Sequence, residues 1–217
     1  MSSYDTHGKY SAMLKNIDLC RNLLKSRQFS HDKTQYLYES GIINSIWQSW
    51  TLFWRTYWLC QVKGGIDINR ARISGYMSGI HEEEAVYLLV NGRIGSRIPP
   101  YKEKTWGDLN IISLISRNLI ALDASPTPTL PISINANKVS ASASTFGSAI
   151  ADLQITRNSS IHLDAHTMRK AHSILGRYSI SRLKYPTDII HSRFIANSRP
   201  ALENWLDEMK AIIYFIR

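Results

Sequence analysis

The sequence from Trp47 to Gly65, WQSWTLFWRTYWLCQVKGG, gives the clearest indication of the fold. Its aromatic side chains recur at steps of three and four, which places them along one side of an α-helix. They are Trp47, Trp50, Trp54, Tyr57 and Trp58. The helix is predicted to span Thr34–Val62 and to end at Gly64-Gly65. A stripe of this kind is typical of a buried core; a dimer interface and a surface on which bases stack are the alternatives.

Helical periodicity continues through most of the chain. Further helices are predicted at Tyr10–Arg27, at His81–Val90, from Thr105 onward, at Phe146–Gln154, at Ser160–Leu175 and at Pro200–Phe215. Few segments alternate as strands do, and none pairs convincingly across a hairpin turn. The predicted class is therefore all-α, with residues 1–217 forming a single α-helical domain. Ser125–Ser148 is rich in Pro, Ser, Ala and Thr, which predicts a long irregular or mobile connection.

The composition is that of a globular protein with a strong positive charge. Of 217 residues 44% are hydrophobic and 20% charged, and the formal net charge is +9. Such a charge favours a polyanionic partner, because neutralised phosphates release condensed counterions. The apolar run Ile42–Leu59 is interrupted by polar residues, so we expect no membrane span. With only two cysteines, Cys20 and Cys60, the sequence indicates a reducing, cytoplasmic location.

Two patterns begin like zinc motifs and then depart from them. HEEEA, from His81 to Ala85, has alanine where a second histidine would be required. HLDAH places His162 and His166 four residues apart but has Leu163 where the catalytic glutamate would stand. A two-histidine metal site stays open as a minor alternative.

The segment Gln154–His166, QITRNSSIHLDAH, carries the most specific chemistry in the chain. Near its ordinary pKa, an imidazole such as that of His162 can take a proton from a ribose 2′-hydroxyl or donate one to a departing 5′-oxygen. A guanidinium such as that of Arg157 can bind the phosphate oxygens while negative charge builds up. If His162 lay in the first turn of a helix, the helix N-terminus would add N–H groups for the anion. The alternative is that Asn158, Ser159 or Ser160 only caps a helix.

This segment resembles the signature of the HEPN superfamily, which consists of small α-helical domains found in prokaryotic toxins and antiviral ribonucleases. That signature is an arginine followed four to six residues later by a histidine, often with Asn, Asp or His directly after the arginine. RNSSIH matches it with Arg157, Asn158 and His162. The resemblance implies a HEPN-type helical bundle and metal-independent cleavage of single-stranded RNA, with no cofactor. Arg157 and His162 would be catalytic, and Asn158 would orient or polarise the pair.

The resemblance also implies a homodimer, in which two motifs face each other across a composite active site. His166, Arg169 and Arg177 would line an RNA-binding groove, and Arg93 and Arg97 of the basic loop Arg93–Lys104 are further candidate RNA contacts. Control would come from an antitoxin or another regulatory protein. The competing hypothesis is a non-catalytic basic helical module with a HEPN-like fold that binds RNA or an acidic protein.

Overall fold

The computed structural model describes residues 4–26, 29–123 and 128–217. Helices dominate these residues, which confirms the all-α class. The α-helices are α1 (Thr6–Ser26), α2 (Asp32–Lys63), α3 (Glu82–Asn91), α4 (Leu109–Ile120), α5 (Pro131–Ile161), α6 (Ala165–Ser173) and α7 (Ala201–Ile216). Short 3-10 helices occur at Pro100–Lys102, Leu175–Arg177 and Pro186–His191.

A small three-stranded sheet joins the start of the chain to the segment after α2. Its strands are β1 (Tyr4–Asp5), β2 (Gly64–Ile66) and β3 (Arg72–Ser74), with β2 in the middle, parallel to β1 and antiparallel to β3. Gly64 has a φ of 85°, which a side chain would disfavour, and a Cβ on Gly65 would collide with the carbonyl oxygen of Tyr4. The predicted Gly-Gly helix stop is therefore also the point where the chain enters the sheet.

The chain forms two compact units. The first unit comprises Met1–Leu14, Gln48–Thr145 and Ile212–Arg217, and the second comprises Lys15–Trp47 and Phe146–Ala211. The single domain expected over residues 1–217 stays a prediction.

The aromatic stripe of α2 is core. In the first unit Trp50, Trp54 and Trp58 are each 0% exposed, and Trp54 lies 5.3 Å from Trp50 and 5.7 Å from Trp58 between ring centroids. In the second unit Trp47 is also buried. The core interpretation is confirmed, and buried rings cannot form a dimer interface or stack on bases. Within the described ranges, no helix is both long and apolar enough to cross a membrane.

Helix α5 corrects the predicted connection at Ser125–Ser148. Residues 131–148 are helical, and residues 125–127 lie outside the described residues. Pro131 is the first helical residue, where its missing N–H costs nothing. Hydroxyl groups further along donate to carbonyl oxygens four residues back, as Ser144 does to Ser140 at 2.9 Å. The buried stripe consists mainly of small residues, which gave a weak hydrophobic signal.

In the second unit a buried carboxylate ties α5 to the segment before α7. The Tyr178 hydroxyl donates to Asp152 Oδ2 at 2.6 Å and accepts from the Trp205 indole N–H at 2.8 Å. Arg177 supplies the opposite charge to Asp152. Burial nevertheless raises the pKa of Asp152, so desolvation outweighs the hydrogen bonds and the ion pair.

Glu208 on α7 gives the second unit a pH-dependent stability. Its carboxylate accepts the Ala149 backbone N–H at 2.9 Å. Burial and then the negative charge of Asp152 raise the pKa of Glu208 to about 7 from an ordinary 4.5. Because the folded state binds this proton more tightly, the carboxyl contributes stability that is complete below about pH 4.5 and is lost as pH rises to about 7.

We therefore expect Glu208→Gln to leave the free energy of unfolding unchanged near pH 4 and to raise it by about 1 kcal/mol near pH 8. This change in free energy is smaller than the full pKa shift of Glu208 would give, because the Glu208 side chain is partly solvated. Urea titrations of both proteins across this range measure the difference. As a control, Glu203→Gln on the same helix removes an ion pair with Arg21 (2.8 Å) and should lower stability at pH 7. A Glu208→Gln effect that is the same at all pH values would contradict the prediction.

Candidate functional site

The motif lies at the C-terminal end of a helix, where the sequence had predicted a helix start. Arg157 and Asn158 belong to the last turns of α5, which ends at Ile161, and His162 is the first residue beyond it. The predicted helix Ser160–Leu175 is wrong in this part, since α6 begins only at Ala165. The helix N-terminus expected to bind a phosphate beside His162 is therefore absent there, and side chains must supply the positive charge.

The turn between α5 and α6 holds the backbone of His162 in place. Its N–H donates to the Asn158 carbonyl at 2.9 Å, and its carbonyl accepts the Asp164 N–H at 2.8 Å and the Thr167 hydroxyl. Its side chain, in contrast, is exposed, and the imidazole has no hydrogen bond to any described residue. The position of this histidine is thus fixed while its ring stays open to a ligand.

The serines of the motif bond within and between the helices. The Ser160 hydroxyl donates to the Thr156 carbonyl at 2.7 Å. The Ser159 hydroxyl lies 2.8 Å from the carbonyl oxygens of both Ile155 and Thr167, and so links α5 to α6. Helix α6 is capped by Asp164, which accepts two backbone N–H groups at 2.8 Å. The alternative that Asn158, Ser159 or Ser160 merely caps a helix is therefore wrong.

Arg157 is half-buried and held by neutral groups. Its Nε and Nη2 donate to Asn44 Oδ1 at 3.1 and 3.0 Å, and its Nη1 donates to Asn158 Oδ1 at 3.0 Å. Among the described residues no carboxylate pairs with it. Burial accordingly lowers the pKa of Arg157 from its ordinary value, although a guanidinium keeps its proton at neutral pH. Arg157 thus presents a positioned positive charge without a counter-ion.

Asn44 is the site residue that sequence reasoning missed. It lies on α2, 113 positions before Arg157, and only the packing of the second unit brings the two together. The side-chain oxygen of Asn158, a residue predicted from the sequence, accepts from Arg157 Nη1 at 3.0 Å, and its orienting role stays a prediction. Asn158 also precedes His162 by one helical turn, so it connects the two candidate catalytic residues.

His166 and Arg169 lie on α6, one turn apart and both exposed. They do not share a continuous helix with His162, because the chain breaks at residues 162–164. The i, i+4 geometry assumed for a His162–His166 metal pair is therefore wrong. In the described part of the chain, no three His, Cys, Asp or Glu side chains are grouped so as to hold a metal ion.

The remaining predicted RNA contacts differ in their surroundings. Arg177 forms an ion pair with the buried Asp152, so the positive charge of Arg177 already has a partner. Arg93 and Arg97 belong to the first unit, where Arg97 lies 3.1 Å from a Glu84 oxygen and Arg93 is exposed. Of the predicted contacts, His166 and Arg169 are those that share the second unit with the motif and whose side chains have no hydrogen bond or ion pair to a described residue.

The positive charge of the chain is concentrated just after the motif. Residues 165–200 contain seven Lys or Arg and one acidic residue, a net +6 of the total +9. Within this segment Arg169, Lys170 and Arg182 have no carboxylate partner among the described residues. The sequence that directly follows the motif therefore offers cations to a polyanion.

No protein-family model, curated protein or solved structure matches this chain.

Proposed function

We propose that this protein is a metal-independent endoribonuclease of HEPN type that cleaves single-stranded RNA. The observation that carries the proposal is the guanidinium of Arg157, which Asn44 and Asn158 hold and which pairs with no carboxylate in the described part of the chain. His162 stands beyond the same helix end with a fixed backbone and an open ring. A phosphate would complete the charge balance that the protein leaves open at Arg157.

The reaction needs Arg157, His162 and a second imidazole. His162 takes the proton of a ribose 2′-hydroxyl as its oxygen attacks the adjacent phosphorus, and the bond from phosphorus to the 5′-oxygen breaks. A second imidazole, in protonated form, donates a proton to that departing oxygen. Arg157 stabilises the negative charge on the non-bridging oxygens. The products end in a 2′,3′-cyclic phosphate and a 5′-hydroxyl, so protons and charges balance without a metal or an external nucleophile.

A homodimer would supply the second imidazole. Each chain contributes one His162, so base and acid come from two copies that share a composite cleft, as the resemblance implies. Exposed apolar side chains flank the histidine, with Ile161 42% and Leu163 59% exposed, and burial of these groups would favour association. A cytoplasmic toxin or antiviral effector of this kind also requires control, which an antitoxin or another regulatory protein would provide.

The test is cleavage of end-labelled single-stranded RNA in EDTA. We expect fragments with 2′,3′-cyclic phosphate ends, and no cleavage of the same sequence in which every ribose carries a 2′-O-methyl group. Cleavage of the methylated RNA would contradict attack by the 2′-hydroxyl. Activity that is lost in EDTA and restored by added Mg²⁺ or Zn²⁺ would contradict metal independence.

The second candidate function is a non-catalytic module that binds RNA. The net charge of +6 over residues 165–200 favours it, because such a segment attracts polyanions whether or not a reaction follows. RNA binding with no cleavage of any single-stranded substrate, by a protein shown to be dimeric, would support this function over the nuclease.

A further inference from the structure

The second unit contains a polar cavity that none of the residues of the motif lines. Its volume is about 270 Å³, and Asp32, Gln35, Tyr36, Glu39, Lys184 and Tyr185 are among the lining residues. The rings of Tyr36 and Tyr185 stack with their centroids 4.6 Å apart and their planes 14° from parallel. Two stacked aromatic residues and several hydrogen-bonding side chains therefore line the cavity.

The cavity adjoins the candidate active site through Tyr36. The hydroxyl of this tyrosine donates to the Ser160 carbonyl oxygen at 2.5 Å, in the last turn of the helix that carries Arg157. Along α2, Tyr36 precedes Asn44 by eight residues, which corresponds to about 12 Å of helix. A ligand in the cavity would thus lie a short distance from a phosphate bound at Arg157.

Three carboxylates and one ammonium group line the cavity, and each has a hydrogen-bond or ion-pair partner. Glu39, 3% exposed, accepts from His191 at 2.6 Å, and Asp32 pairs with Lys184. Asp188 accepts the backbone N–H groups of Lys184 and Tyr185 at 2.7 and 2.9 Å. Because the carboxylates outnumber the ammonium group, such a site disfavours an anion and favours a ligand with several hydrogen-bond donors. A neutral, flat molecule that carries such donors matches it.

The hydrogen-bonding groups that stay open define the molecule further. Gln35 uses its amide N–H₂ on Glu39 at 2.7 Å, which leaves its carbonyl oxygen as an acceptor without a partner in the described structure. At the mouth of the cavity, Asp32 binds Lys184 through Oδ2, so Oδ1 is a second acceptor beside an ammonium donor. Two acceptors and one donor are therefore available on residues that line the cavity.

We propose that this cavity binds a guanine base of the RNA. This inference rests on the proposed function, because RNA is the substrate of that nuclease. Among the four bases, guanine has neighbouring N1–H and N2–H₂ donors together with the O6 acceptor on its Watson–Crick edge. The donors match Gln35 and Asp32, O6 matches Lys184, and the ring stacks beside Tyr185. The cavity would then select RNA that carries guanine near the cleaved bond.

Nucleotide binding tests the pocket apart from catalysis. The full chain carrying His162→Ala is titrated with GMP, AMP, CMP and UMP by calorimetry. Because all four nucleotides carry the same phosphate, differences in affinity report on the base. We expect GMP to bind at least tenfold more tightly than the others, and Asp32→Asn to remove that preference. Asp207→Asn, which alters another exposed ion pair of the second unit, should leave it unchanged. Equal affinity for all four nucleotides, or tighter binding of spermidine than of GMP, would overturn the proposal.

Mapping of cleavage sites separates the two proposals. With the otherwise unaltered chain we expect cuts near guanine, and with Asp32→Asn we expect that preference to be lost. Asp207→Asn, whose residue does not line the cavity, should keep both the preference and the total rate. Cleavage without base preference, by a protein that does not bind GMP, would overturn the guanine pocket and leave the nuclease standing. Selective GMP binding by a protein that cleaves no RNA would overturn the nuclease and leave the pocket standing.

Discussion

Replacement of His162 by alanine is expected to reduce the rate of RNA cleavage by about 100- to 10,000-fold, the usual contribution of a positioned general acid or base. The free energy of unfolding should change by less than about 0.5 kcal/mol, because the ring is exposed and makes no hydrogen bond to a described residue. Single-turnover cleavage assays and urea titrations of the same preparations measure both quantities.

His166→Ala is the matched control. His166 is also exposed and lies on the next helix, but it has no place in the proposed proton transfers. We expect this variant to keep cleavage within about tenfold of the unaltered protein, with any loss appearing as weaker RNA binding. Equal activity of the His162→Ala variant and the unaltered protein would move the catalytic site elsewhere in the chain.

The sequence predicted those elements whose hydrophobic side chains are large. The aromatic stripe of α2 was placed correctly as core, and its predicted end at Val62 lies one residue from the observed end at Lys63. Likewise the helix predicted at His81–Val90 is observed as α3 (Glu82–Asn91), which ends before Gly92, a glycine in the left-handed conformation. Bulky hydrophobic residues at helical spacing give a clear periodic pattern, and packing in the core stabilises the helix that this pattern predicts.

The first half of helix α5 was missed because its inward side chains are small, whereas the part predicted at Phe146–Gln154 is confirmed. Buried positions such as Ala136, Val139 and Ala143 recur at helical spacing, yet alanine is scarcely distinguishable from the surrounding serines on a hydrophobic scale. Pro131 contributes to the proline-rich composition that predicts an irregular segment, whereas at the first helical position a proline is compatible with a helix. Composition outweighed periodicity in the prediction.

The candidate site was predicted as residues but not as an arrangement. Arg157, Asn158 and His162 could be identified from their local pattern. Their position at the end of a helix follows from the three-residue break between α5 and α6. Asp164, the last residue of this break, caps α6. Asn44 could not be found at all, since its contact with Arg157 spans 113 positions and leaves no local trace.

Asn44→Asp is expected to lower RNA cleavage by about 100-fold, near the effect of losing a charge-stabilising donor from an active site. An aspartate at this position would face Nε and Nη2 of Arg157, where Asn44 Oδ1 now accepts from both at 3.1 and 3.0 Å. The resulting ion pair would supply the counter-ion that Arg157 lacks, and a phosphate would then have to compete with it. The fold should be kept, because shape and hydrogen bonding at residue 44 are preserved.

Salt dependence distinguishes this effect from a general loss of structure. In a His162→Ala background, the affinity for single-stranded RNA can be measured at several salt concentrations. Neutralising one phosphate contact should reduce the slope of log K against log salt by about 0.7 per site. Asn44→Ala, which removes the acceptor without adding a charge, should keep that slope and lose less activity than Asn44→Asp. If Asn44→Asp cleaves RNA as the unaltered protein does, Arg157 is not the residue that holds the scissile phosphate.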